Sequence, residues 1–147
     1  MNIYKKVLAF RNKYPITMAF RLKAHSKIIE KYINDDEELL YVFTGQKNNK
    51  SIGLPNTFIA ALTDKRLLFA RKRVLFGSFF YAITPDMFND LKVESGLIWG
   101  KIIIDTVKEL VTISNIDIAA LNEIETNVTQ YMMEEKKKYI SIPRDSK

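Results

Sequence analysis

The chain contains no cysteine. That absence excludes a disulfide scaffold, a thiolate zinc site and a cysteine nucleophile together. It leaves the compartment unmarked, with the cytosol as the simplest reading. Histidine occurs once, as His25, so a Ser-His-Asp triad has a single base to draw on. The five glycines are scattered, and none lies in a strand-to-helix loop that would cradle a phosphate. Long apolar runs are also missing. The longest, Val74 to Ile83, is interrupted by Gly77 and Ser78, whereas a spanning helix needs about 20 apolar residues. Only four apolar residues separate Lys6 from Arg11, fewer than the roughly 7–15 of a secretory signal core. The acid run at 34–38 lacks the alternation and the glycine of a calcium loop and reads as a solvated linker. Catalysis, a metal and a cofactor therefore find no support, and a non-enzymatic protein is expected.

What is present is an ordinary globular composition. The 147 residues are 47% apolar and 27% charged, which fits one folded domain rather than a disordered chain. The charge is uneven. Residues 1–33 hold eight Lys or Arg and one acid, whereas the rest of the chain holds 15 basic and 16 acidic side chains. The whole positive excess thus sits in the first quarter, the pattern of a basic arm that meets an anionic partner.

The N-terminal pattern is helical. Ile3, Val7, Phe10 and Tyr14 form one stripe, with Lys5, Lys6 and Lys13 opposite. Pro15 ends that segment. A second helix is predicted from Thr17 as its cap, with Met18, Leu22, His25, Ile29 and Ile33 as its apolar stripe. Lys23, Lys27 and Lys31 fall on its far face, with Phe20 among them. His25, inside the apolar stripe, reads as a packed core or interface histidine rather than a base.

From residue 39 the period becomes that of strands. Strands are predicted at 39–44, 57–62, 67–70, 76–83, 88–94, 99–105 and 109–113. Polar loops or turns separate them at 46–51, 63–66, 71–73, 85–86, 95–96 and 106–107. Ser114 to Asp117 reads as a capping box. A last helix follows, with Leu121, Ile124, Val128 and Tyr131 as its buried stripe, closing on the lysines at 136–138. Residues 141–147 read as a flexible tail.

Seven short antiparallel strands hide most of their edges by closing into a barrel, and one amphipathic helix is then free to plug an end. The expectation is a mainly β (α+β) fold. It comprises a basic helical arm of two short amphipathic helices over 1–33, a seven-stranded barrel domain with its C-terminal helix over 34–140, and the tail. The residues support the same conclusion by likeness. Ala61-Leu62-Thr63-Asp64-Lys65-Arg66-Leu67-Leu68-Phe69 resembles the second hairpin of bacterial pleckstrin-homology (PH)-like domains of the YokE-like type. Gly96-Leu97-Ile98-Trp99-Gly100-Lys101-Ile102-Ile103-Ile104 resembles their turn between the fifth and sixth strands. The resemblance covers roughly residues 36–133 and implies a PH-like barrel and a non-catalytic binding module.

Two surfaces are candidates for binding. The first is the barrel rim, where the meander places Lys47 and Lys50 beside Arg71, Lys72 and Arg73, with Asn48 and Asn49 as further donors. In eukaryotic PH relatives that rim binds phosphoinositide headgroups. They carry a basic pair on the following strand, where this chain has Phe58-Ile59-Ala60-Ala61. The second is the arm, where Lys5, Lys6, Lys13, Lys23, Lys27 and Lys31 on the polar faces of the two helices, with Phe20 amid the last three, offer a docking face for an anionic membrane or a protein partner, another copy of the chain included. The alternative is that the apolar stripes pack on the barrel and leave the lysines in water. A nucleic-acid-binding role for the basic arm is a further reading. The membrane reading makes the protein peripheral, at the inner face.

Overall fold

The computed structural model describes residues 2–47 and 56–141, the last three by backbone alone. Helix α1, Ile3–Lys13, starts where the Asn2 side chain accepts a hydrogen bond from the Lys5 N–H at 2.9 Å. It ends with Arg11 and Lys13 in its last turn, where the helix dipole favours cations. Helix α2 spans Leu22–Tyr32. Seven strands follow: β1 Leu39–Lys47, β2 Thr57–Thr63, β3 Leu67–Lys72, β4 Ser78–Ile83, β5 Phe88–Ser95, β6 Trp99–Thr106 and β7 Leu110–Asp117. Helix α3, Leu121–Ser141, closes the described chain.

All seven strands form one antiparallel sheet in the order β4-β3-β2-β1-β7-β6-β5. The sheet curls into a half-barrel, since β1 and β7 share only the pairs Gln46–Ser114 and Lys47–Ile113 before they diverge. A short 3-10 turn, Pro85–Met87, carries the chain from β4 to β5. α3 packs over β5, β6 and this turn, while α1 and α2 pack on each other and on β1, β2 and β3. Strand β2 is buried at every position, as expected of a strand covered on both faces. One continuous core runs through all of this and includes Ile3, Val7 and Phe10 of α1 and Ile28 and Ile29 of α2. The apolar stripes of the N-terminal helices are thus buried against the sheet.

Three local expectations are corrected. The second helix starts at Leu22, not at Thr17. Thr17 is buried, and its hydroxyl accepts from the Asp117 N–H at 2.9 Å instead of capping a helix. Second, Ser114 to Asp117 is not a capping box but the end of β7, with Asn115 in the left-handed region (φ 57°) beside a register shift. Third, the acid run is not wholly solvated. Glu37 is buried and accepts hydrogen bonds from the Asn34 N–H at 3.0 Å, the Thr63 hydroxyl at 2.7 Å and Arg66 Nη2 at 2.7 Å. That carboxylate ties the exit of α2 to the turn between β2 and β3.

Candidate binding surface

Strand alternation decides what the rim presents. Residues paired across antiparallel strands share a face, so Phe58, Arg71 and Phe79 lie in one row and Phe69 and Tyr81 in the next. Phe80 points the other way, stacked on Tyr32 of α2 at 4.5 Å. β1 runs three residues past its predicted end, which makes Lys47 a strand residue that bonds to the Asn56 backbone at 2.9 Å. Its ammonium sits 5.0–5.4 Å from the ring centres of Phe58, Phe79 and Tyr81. This cation–π box holds the charge against an apolar wall.

Lys47, Arg71 and Arg73 line one open cavity of about 720 Å³, together with Asn56, Phe58, Phe79 and the Val74–Phe76 loop. No acidic side chain lies among its described lining residues. Burial, together with the charges of Arg73 and Arg21, lowers the Arg71 pKa. Such crowding of like charge is relieved by an anion. Tyr81, whose ring faces Lys47, keeps its hydroxyl buried without a hydrogen-bond partner among the described residues. Burial, reinforced by the charge of Glu109, pushes its pKa up, so the group is neutral.

Lys72, the fifth predicted rim cation, is exposed but alternates to the other face of β3. There its backbone is gripped twice: the N–H donates to His25 Nδ1 at 2.8 Å, and the carbonyl accepts from Arg21 Nη1 at 3.1 Å. Burial, with the nearby charges of Arg21 and Arg71, lowers the His25 pKa to about 4. The imidazole is therefore neutral near pH 7 and acts as a fixed acceptor. Lys50 and the rest of the loop 48–55 lie outside the described residues, as does the tail 142–147.

The predicted arm surface is divided by the structure. Lys5, Lys6, Lys23 and Lys27 are exposed, and Lys31 lies 5.5 Å from the Tyr32 ring centre. Lys13 is committed to an ion pair with Glu123 of α3 at 2.6 Å. Glu123 also accepts from the hydroxyls of Tyr14 and Tyr41 at 2.8 Å each. Burial would raise its pKa, but these donors outweigh it and the carboxyl is held below its usual value. Phe20 is exposed yet not on the lysine-bearing helix.

Phe20 belongs instead to a segment that sequence reasoning missed. Residues 16–21 form a strap across the ends of the strands. Ile16 accepts from Trp99 Nε1 at 2.7 Å through its carbonyl. The Met18 N–H donates to the Asn115 carbonyl at 2.9 Å, and the Met18 carbonyl accepts from Gln46 Nε2 at 2.9 Å. The Phe20 N–H donates to the Thr57 hydroxyl at 3.0 Å. Arg21, forced into the left-handed region (φ 55°), then turns the chain into α2. The strap alternates, with Thr17 and Ala19 buried and Ile16 and Phe20 exposed, and that period of two was the available signal.

Residues 33–130 match the family of the bacterial PH domain. The match covers two thirds of the chain, and the chain belongs to that family. No curated protein matches it. The match is to the bacterial PH domain family and does not single out the YokE-like type, and the strap and both N-terminal helices lie before the matched residues. Family membership places the protein among binding and docking modules. Among the described residues no helix is long and apolar enough to cross a membrane.

Proposed function

We propose that the protein is a non-catalytic docking module whose rim cavity holds the phosphate-bearing headgroup of an anionic lipid at the inner face of a membrane. The observation that carries this reading is the cavity itself, with Lys47, Arg71 and Arg73 converging and no described carboxylate to neutralise them. A phosphate oxygen accepts charge-assisted hydrogen bonds from Lys and Arg more strongly than water does, and the aromatic wall lowers the local dielectric around them. Asn56 adds a neutral side chain to the lining. The lysines of α1 and α2 play a lesser part, because the apolar faces that would accompany them into a bilayer are spent on the core.

Co-sedimentation tests the reading, using vesicles of phosphatidylcholine alone and vesicles that mix it with phosphatidylglycerol. The wild-type chain should bind only the anionic vesicles, and less so as salt rises. Each basic residue near such a surface contributes about 1 kcal/mol. Arg71→Gln combined with Arg73→Gln should therefore weaken binding by roughly 30-fold. Unchanged binding by the double variant would remove the cavity from the mechanism. Binding to single-stranded DNA in place of vesicles would redirect the function to nucleic acid.

A further inference from the structure

The rim cavity is larger and more apolar than a phosphate requires. It measures about 720 Å³. A bare phosphate, at the roughly 30 Å³ that a water-sized group takes in a liquid, fills about a fifth of that space. Apart from its cations and Asn56, the described wall is hydrocarbon. Phe58, only 4% exposed, meets Phe79 edge to face at 5.7 Å at the base, and Val74, Leu75 and Phe76 form the lip. The lip is built into the fold. The Arg73 N–H donates to the Gly77 carbonyl at 3.1 Å, and Gly77, in the left-handed region (φ 84°), completes the hairpin loop over 74–76. Leu75 and Phe76 are nonetheless 85% and 82% exposed. Single exposed apolar residues need no explanation, but these follow directly on Arg73 and line the same cavity as Arg71 and Arg73. Folding leaves their apolar surface unused, at the edge of a cationic site.

The polar groups of the wall narrow the class of ligand. Asn56 is the one uncharged polar side chain among the described lining residues, and its amide nitrogen already donates to the Lys47 carbonyl at 2.6 Å. The Lys47 ammonium lies against the rings of Phe58, Phe79 and Tyr81. A nucleobase edge or a set of sugar hydroxyls placed along this wall would lose water and gain few partners, which is costly. A hydrocarbon chain makes no such demand, and covering it against exposed apolar side chains is favourable.

We infer that the cavity holds one phosphorylated amphiphile, with its phosphate on Arg71 and Arg73 and the first carbons of its alkyl or acyl chain against Leu75 and Phe76. This inference rests on the headgroup reading above for the charged end of the ligand, and it adds the hydrocarbon end. A single molecule is gripped by both parts, so recognition does not require a bilayer.

A series of alkyl phosphates from methyl to octyl, each kept below micelle formation, tests this by NMR titration of the full chain. Amide signals of residues 73–77 should shift, and affinity should rise about two- to fourfold with each methylene that the lip covers, the upper figure corresponding to full burial. Octyltrimethylammonium, with the same chain and the opposite charge, should leave those signals in place. Leu75→Ser combined with Phe76→Ser should flatten the rise, whereas Arg71→Gln combined with Arg73→Gln should weaken every member of the series by one common factor. Matching melting curves would show that both variants fold. Equal affinity along the series would overturn the hydrocarbon end and leave the headgroup reading standing. So would a failure of every member to bind while vesicles still bind through the arginines. A rise that survives the loss of both arginines undiminished, or equal shifts with octyltrimethylammonium, would overturn the headgroup reading and this inference with it.

Discussion

Replacing Glu37 with Gln tests the reasoning about this fold at one buried carboxylate. Burial by itself would raise the Glu37 pKa, but Arg66, the Thr63 hydroxyl and the Asn34 N–H prevail and hold it at about 2, against 4.5 for the free side chain. A carboxyl with those two values contributes about 3 kcal/mol to stability. The sign follows from the lowered pKa. The contribution is complete above pH 4.5 and is lost as the pH falls towards 2. Glu37→Gln keeps the shape and one acceptor oxygen but leaves the Arg66 guanidinium, only 21% exposed, facing a neutral group. The expected loss at pH 7 is about 3 kcal/mol, at the lower end of the cost of breaking a buried pair. For a chain of this size it corresponds to a fall in Tm of roughly 6–12 °C. Urea unfolding of both proteins at pH 7 and at pH 2.5 makes the measurement. The gap in midpoint should be wide at pH 7 and mostly closed in acid, with equal slopes throughout. An equal midpoint at pH 7, or a gap that persists unchanged at pH 2.5, would refute the assignment of charge to this site. A Glu37→Met, Arg66→Met double variant should be less destabilised than Glu37→Gln, because it leaves no unpaired charge.

Other sites give further expectations. The folded-state pKa of His25, lowered to about 4 from 6.5, means that stability present above pH 6.5 declines as the pH falls towards 4. An NMR titration of the imidazole should find its midpoint near 4, and a midpoint near 6.5 would show that the bond to the Lys72 N–H is absent. Glu123→Ala strands the hydroxyls of Tyr14 and Tyr41 and should cost about 2–4 kcal/mol in urea unfolding. Lys13→Ala, at an exposed position, should barely move the midpoint. A methyl group at Gly100 would overlap the Leu121 side chain and lie 2.9 Å from the Glu94 carbonyl oxygen. Gly100→Ala should therefore lose about 1–3 kcal/mol, and an unchanged thermal melt would mean that α3 is free to move off β6.

The strands were readable because each is a run with period-two or continuous apolar character between turn residues. Thr63 to Arg66 is a case in point. The Thr63 hydroxyl accepts from the N–H groups of Lys65 and Arg66 at 3.1 Å each, the local bonding for which such residues are favoured in turns. The stripe Ile3, Val7, Phe10 was legible for the same kind of reason. Phe76 was read as the start of a strand, since an apolar residue beside a strand looks like part of it. In the fold it is a loop tip, with Gly77 (φ 84°) completing the turn. Glu37 could not be found at all, because its partner Arg66 lies 29 positions away.

For the candidate site, the convergence of Lys47 with Arg71 and Arg73 was deducible from the meander alone, since its odd-to-even hairpin loops fall at one end. Which way each cation faces was not. That depends on β1 running on to Lys47, which in turn depends on Gln46 pairing with Thr57 and Ser114. Lys72, one residue along, turns away for the same reason.

Local patterning thus specified the element types, the strand order within each hairpin and the basic character of the first 33 residues. Those properties arise from neighbours a few positions apart. The burial of the helical arm and the course of the strap come from contacts between residues up to about a hundred positions apart, such as Thr17 with Asp117. At Thr17 a single long-range hydrogen bond to a strand end outweighs a weak helical propensity of a few tenths of a kcal/mol per residue, and no local pattern can report the presence of that partner.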